Sequence, residues 1–143
     1  MTEAELRALD AEVAEKVMGW WLFEASGETW AATTKVRLPS IQGVTDRLMF
    51  AGRQYGFFAK GWSPSTDIAC AWQVVEAMRE RHGLGAFFVE WHVEEADAWD
   101  VQMIILPVPG PRVDVGRCAK TLPEAICRAA LAAMDPARRG EER

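Results

Sequence analysis

The sequence predicts an α+β domain, a layered helix/sheet/helix sandwich built on a mainly antiparallel sheet. Three observations predict it. Capping boxes, Thr2 with Glu5 and Thr121 with Glu124, open amphipathic segments at the two ends of the chain. A third helical stripe runs from Ser63 to His82. Between it and the last helix, two runs alternate apolar and polar residues with the period of a half-buried strand.

In the first helix, Leu6, Leu9, Val13 and Val17 fall on one stripe, and Gly19 is the stop. Trp20–Glu24 and Thr29–Leu38 read as two strands across a turn at Ala25-Ser26-Gly27-Glu28, with Trp30, Ala32, Thr34, Val36 and Leu38 on one face. Arg47–Phe50 and Gln54–Lys60 read as a second hairpin turning at Ala51-Gly52-Arg53, or as part of a long ligand-facing loop. The central helix starts with Ser63 as N-cap and Pro64 at the first helical position. Its expected core stripe is Ile68, Ala71, Trp72, Val75 and Met78, and the cations Arg79, Arg81 and His82 end it before Gly83. Ala86–Val93 and Trp99–Leu106 follow as an antiparallel pair across an acidic link. Pro107, Pro109, Gly110 and Pro111 force a stiff turn, and Arg112–Ala119 returns as a third strand. The last helix carries Ile126, Ala129, Ala130 and Met134 on its stripe. Residues 1–134 are thus expected to form a single domain and 135–143 a polar tail.

The composition, 143 residues with 50% hydrophobic and 26% charged, is that of one globular domain and excludes fibrous and disordered classes. No run approaches the length of a membrane helix, and the acidic start is no secretory signal. A soluble cytoplasmic protein is expected. The net charge of −5 argues against a duplex nucleic-acid partner. Cys70, Cys118 and Cys127, odd in number and widely spaced, read as reduced thiols.

Three stretches, VAEKVMGW (Val13–Trp20), PSTDIACAWQVVEAM (Pro64–Met78) and LPEAICRAALAAM (Leu122–Met134), together resemble the phage ABA sandwich domain family. They frame the chain from end to end. The resemblance implies a layered domain of bacteriophage or prophage origin, working in the host cytoplasm, and brings no catalytic motif with it. The sequence departs from the family pattern over Leu22–Trp62, which is longer and more aromatic, and inserted segments commonly carry function.

The residues themselves offer little chemistry for catalysis. There is no Gly-x-Ser-x-Gly, no His-Glu-x-x-His, no Cys-x-x-Cys and no P-loop, so no catalytic residues and no cofactor are assigned. His92 stands beside Glu90 and Glu94 on a polar strand face. Two carboxylates and one imidazole at open sheet spacing are a weak metal signal, and no metal is assigned.

Tryptophan is the unusual count: there are seven, against one tyrosine. Trp72 belongs to a core stripe, and Trp91 and Trp99 read as cross-strand neighbours in the core or a subunit interface. Trp20 and Trp21 are consecutive and cannot both enter one core from a strand. Trp30 and Trp62 lie near turns, among Arg53, Tyr55 and Lys60. Indoles stack on planar heterocycles, Arg forks phosphate, and Ser65 and Thr66 with the start of the Ser63-led helix would hold an anion. The expected ligand-binding set is therefore Trp20, Trp21, Trp30, Arg53, Tyr55, Lys60, Trp62, Ser65 and Thr66. The leading expectation is a non-enzymatic phage protein that sequesters a small nucleotide-like host signalling molecule, an anti-defence sponge. The alternative is a protein-interaction module that blocks a host protein or serves phage assembly, marked by an exposed apolar Trp patch in place of a concave site. A small nucleotide hydrolase is the weaker alternative. Under each reading the apolar and aromatic surplus predicts a homo-oligomer.

Overall fold

The computed structural model describes residues 2–25, 28–32, 62–94 and 98–135, and for 21–25 and 28–32 the backbone alone. Helix α1 (Glu3–Lys16) begins with the expected capping box: Thr2 accepts from the Glu5 amide, and the Glu5 carboxylate accepts from the Thr2 amide. It buries Leu9 and Val13, with Val17 just beyond its end. Gly19 turns the chain at φ +69, and the Trp20 amide donates back to the Ala14 carbonyl. Strands β1 (Trp21–Ala25) and β2 (Glu28–Ala32) then form an antiparallel hairpin across the turn the sequence indicates. Positions Thr34, Val36 and Leu38 of the expected longer strand, and the expected hairpin of Arg47–Phe50 with Gln54–Lys60, lie outside the described residues.

The central helix departs from expectation at its start. Residues Ser63–Asp67 close a separate turn, with the Thr66 and Asp67 amides both donating to the Ser63 carbonyl. Helix α2 (Ile68–Arg81) begins only afterwards, capped by Asp67, whose carboxylate accepts from the Ala69 and Cys70 amides. A charged acceptor placed two residues ahead of free amides out-competes the Ser63 hydroxyl for the capping role. The buried stripe is also rotated. Ala71, Val74, Val75, Ala77 and Met78 face the core, while Ile68 and Trp72 are half-exposed. Trp72 is therefore not a core residue, contrary to the sequence reading.

Strands β3 (Leu84–Trp91), β4 (Trp99–Ile105) and β5 (Val113–Ala119) make an antiparallel sheet in that order, with β4 in the centre. Helix α3 (Leu122–Met134) starts with Thr121 accepting from the Glu124 amide and Pro123 in its first turn. It is buried almost all round, from Ala125 through Ala133, because it lies on β4 and β5 and is covered in turn by α1 and α2. The β1–β2 hairpin rests against α1. One core joins Val13, Val17, Val74, Met78, Val101, Met103, Ile126 and Leu131. The α+β class and the antiparallel sheet are as the sequence predicts.

The ends of α1 and α2 are tied together by side chains. The His82 ring nitrogen lies 2.7 Å from the Val17 carbonyl, and the Arg81 guanidinium donates to the Met18 carbonyl. The Arg81 and His82 side chains at the end of α2 thus reach carbonyls at the end of α1 that no turn of that helix can satisfy.

Candidate functional site

Four of the expected ligand-binding residues can be located by side chain, and they gather near the junction of α1 with the Ser63–Asp67 turn. Trp20 is buried against Ala14 and Met18, and its ring meets Trp62 edge-on at 4.6 Å between centroids. Trp62 is half-buried, and its indole Nε1 donates to Gln73 Oε1 at 2.8 Å. Trp20 is thus a packing residue, and Trp62 covers it. Trp21 and Trp30 stand on β1 and β2, where Trp21 pairs with Ala32 and Trp30 with Phe23. Their side chains, and all of Arg53, Tyr55 and Lys60, lie outside the described residues.

Ser65 and Thr66 do not lie at the start of a long helix. Ser65 is buried; its amide donates to Asp10 Oδ1 at 2.8 Å and its hydroxyl to the Leu6 carbonyl at 3.4 Å. Thr66 is exposed and its hydroxyl turns back to Ser63. The negative charge expected at this turn is present, but it belongs to the chain itself: Asp10 on α1 fills the place proposed for an external anion. Burial pushes the Asp10 carboxyl above its ordinary pKa, and hydrogen bonding from Ser65, chiefly from its amide, opposes that rise.

A second group of aromatic residues is exposed. On the core-side face of β3, Phe87, Val89 and Trp91 alternate, opposite Met103, Val101 and Trp99 in the register of β4. The β4 residues are covered by α3. Those of β3 are not: Val89 is 39% exposed and Trp91 61%. Trp91 lies flat on Trp99, with centroids 6.0 Å apart and the rings inclined by 23°. Trp72 of α2, 50% exposed, meets Phe87 edge-on at 6.1 Å. Among the described residues, β3 is an edge strand whose outer side pairs with no other strand. The cross-strand pairing of Trp91 with Trp99 follows the sequence reading; the burial of Trp91 in a core does not.

On the opposite face of the same sheet, Glu90 stands across from Asp100, and Asp100 across from Cys118. His92 follows on the same side, with its Nε2 3.5 Å from Glu90 Oε2. One donor atom each from Glu90, His92 and Asp100 falls within 4.8 Å of the others. Glu94, the third member of the trio suggested by sequence, is not in this group. Asp100 was the missed residue, and the hairpin register that sets Trp91 against Trp99 also sets Glu90 against Asp100.

The model of the phage ABA sandwich domain matches residues 11–131. The chain belongs to this family. A crystal structure of a phage protein from Bacillus cereus is similar to it in fold, with a TM-score of 0.50 and 21% identity over 93% of this chain and 90% of that one. No curated protein matches it. Within this phage ABA sandwich domain the matched span includes the exposed face of β3 and the polar row behind it, so both are carried by the domain itself. Cys127 is buried in α3, and desolvation raises its pKa well above the ordinary value, which makes it a packing residue and a poor nucleophile. No helix among the described residues is long and apolar enough to cross a membrane.

Proposed function

We propose that this phage ABA sandwich protein acts as a protein-interaction module, and that its working surface is the outer edge of β3 with the aromatic face beside it. The observation that carries the reading is Trp91, exposed on a strand that is an edge among the described residues, while its register partner Trp99 packs against the core. Exposed apolar side chains on an unpaired strand invite another chain, and proteins that have no partner for such an edge blunt it with charge or proline. Over Leu84–Trp91 the strand has one charged residue, Glu90, and no proline.

The occupant we assign is a second copy of this chain. A twofold axis perpendicular to the sheet would place two β3 strands side by side and antiparallel, with the faces of both sheets preserved. Phe87, Val89 and Trp91 of both copies would then form one continuous apolar surface on the helix side of a six-stranded sheet. Light scattering of the full chain at micromolar concentration tests this. A dimer is expected, converted to a folded monomer by Phe88→Lys with Val89→Lys. A wild-type protein that is monomeric, or a double variant that remains dimeric, overturns the assignment.

Sequestration of a small nucleotide-like ligand is the second reading. It is supported by the aromatic and cationic run that includes Trp21, Trp30, Arg53, Tyr55 and Lys60. Calorimetry with cyclic dinucleotides and ADP-ribose derivatives tests it. Saturable heat abolished by Arg53→Ala supports this reading, and no heat with any of them removes it.

A further inference from the structure

We propose that Glu90, His92 and Asp100 form a binding site for a divalent first-row transition metal, with Zn2+ as the representative ion. The site lies on the sheet face opposite Trp91 and does not depend on the function proposed above. Glu90 and His92 are two residues apart at the end of β3 and point to one face, and the β3–β4 register brings Asp100 directly across from Glu90. The His92 amide donates to the Ala98 carbonyl at 2.7 Å, which fixes the backbone beneath the imidazole. The three donor atoms lie within 4.8 Å of one another. Ligand bonds to zinc of roughly 2.0–2.2 Å place two donors on one ion at most about 4.4 Å apart, close to the spacing found here, and Glu90 is exposed and His92 half-buried, free to adjust around an ion.

A second observation points the same way. Glu90 and Asp100 lie directly opposite on neighbouring strands, and Asp100 is 4% exposed, so a cation held between them would meet one carboxylate that water reaches poorly. The donor set selects the class of ion. An imidazole beside two carboxylates suits zinc, manganese or cobalt better than calcium or magnesium, which favour oxygen alone. Three protein ligands on an open face leave positions for water or for a donor from another molecule.

The test is a calorimetric titration of the full chain with Zn2+ under reducing conditions, with Co2+ absorption as a second measurement. One saturable site is expected, weakened about tenfold or more by His92→Gln and by Glu90→Gln, with a Co2+ spectrum of nitrogen and oxygen ligation. Both substitutions are at the surface end of the strand, so retained circular dichroism separates loss of the site from loss of the fold. His82→Gln is expected to leave the affinity unchanged. The proposal is overturned by absence of binding at millimolar zinc, by affinity that survives both His92→Gln and Glu90→Gln, or by a thiolate band lost with a cysteine variant and kept in these two.

Discussion

Strands β3 and β4 carry the same alternation of apolar side chains and pair with each other along their length, yet they occupy different environments. Val101, Met103 and Ile105 of β4 are sealed beneath α3, whereas Val89 and Trp91 of β3 face water. The difference lies in what covers each strand. Helix α3 lies over β4 and β5, and α2 reaches β3 near Phe87, where Trp72 bends over it. An alternating pattern therefore specifies a face and leaves its covering to the tertiary arrangement. Where the covering stops, a strand built for a core becomes a surface available to another molecule.

The largest expected effect lies on the covered side. Met103 is fully buried, and Met103→Ala should cost about 2–5 kcal/mol in urea unfolding, from lost transfer energy and the cavity left behind. Its register partner Phe87 is half-buried, and Phe87→Ala should cost clearly less despite the larger side chain removed. Equal losses would mean that β3 is covered as well as β4, and the comparison would fail.

The next effect applies the same contrast to a polar contact. Asp10 accepts the amide hydrogen of the buried Ser65, so Asp10→Ala should cost about 1–3 kcal/mol by leaving that donor without its acceptor. Asp10→Asn keeps an oxygen there. The raised pKa of Asp10 means that, between the ordinary value of 3.8 and its folded value, the folded state holds more protons than the unfolded one. The contribution of Asp10 to stability therefore falls as pH rises through that window, and at neutral pH its charge is a net cost. Unfolding curves at pH 3.5 and 7 should show Asp10→Asn gaining on the wild type at the higher pH. A gain at the lower pH would reverse the assigned direction.

What the sequence showed and what it hid follow the same division. Local chemistry was legible: the Thr2 and Thr121 caps, the Gly19 turn and the pairing of Trp91 with Trp99 depend on residues close in the chain or on a register fixed by a short link. Burial on α2 was not, because Ile68 and Trp72 are as apolar as the Val74 and Ala77 that displace them from the core. The start of α2 was misplaced because Ser63-Pro64 is a sound opening by itself, and only the Asp67 carboxylate shifts the cap by four residues. The partner of Ser65 was beyond local reading, since Asp10 is 55 positions away. Of the expected ligand set, Trp20 proved to be packing and Ser65 an internal anchor, while Arg53, Tyr55 and Lys60 lie outside the described residues.

Trp91→Ala sharpens the comparison at the next scale. The ring stacks on Trp99 but is mostly exposed, so the loss measured on dilute protein should be about 0.5–1.5 kcal/mol, the range of a single aromatic pair. If the β3 edge holds a second copy, the same substitution should weaken self-association by more than it weakens the fold. The two are separated by comparing melting curves with the concentration dependence of light scattering. A larger loss of fold stability than of association would place Trp91 in the core of the monomer.

The smallest expected effect, at Val89, belongs to the most direct test, which uses one residue type at two paired positions. Val89 and Val101 are opposite each other in the β3–β4 register and point to the same face. Val101 is 0% exposed and Val89 39%. Valine to threonine preserves shape and β-branching and adds one hydroxyl, so propensity and sterics nearly cancel between the two sites. At Val101 that hydroxyl enters an apolar core, at a cost of about 1–3 kcal/mol. At Val89 it can meet water, and the change should stay within about 0.5 kcal/mol. Matching costs at the two sites would show that something covers β3 as α3 covers β4. Near-silence at Val89 alongside a clear loss at Val101 means that the uncovered strand owes little of its apolar character to the stability of its own fold.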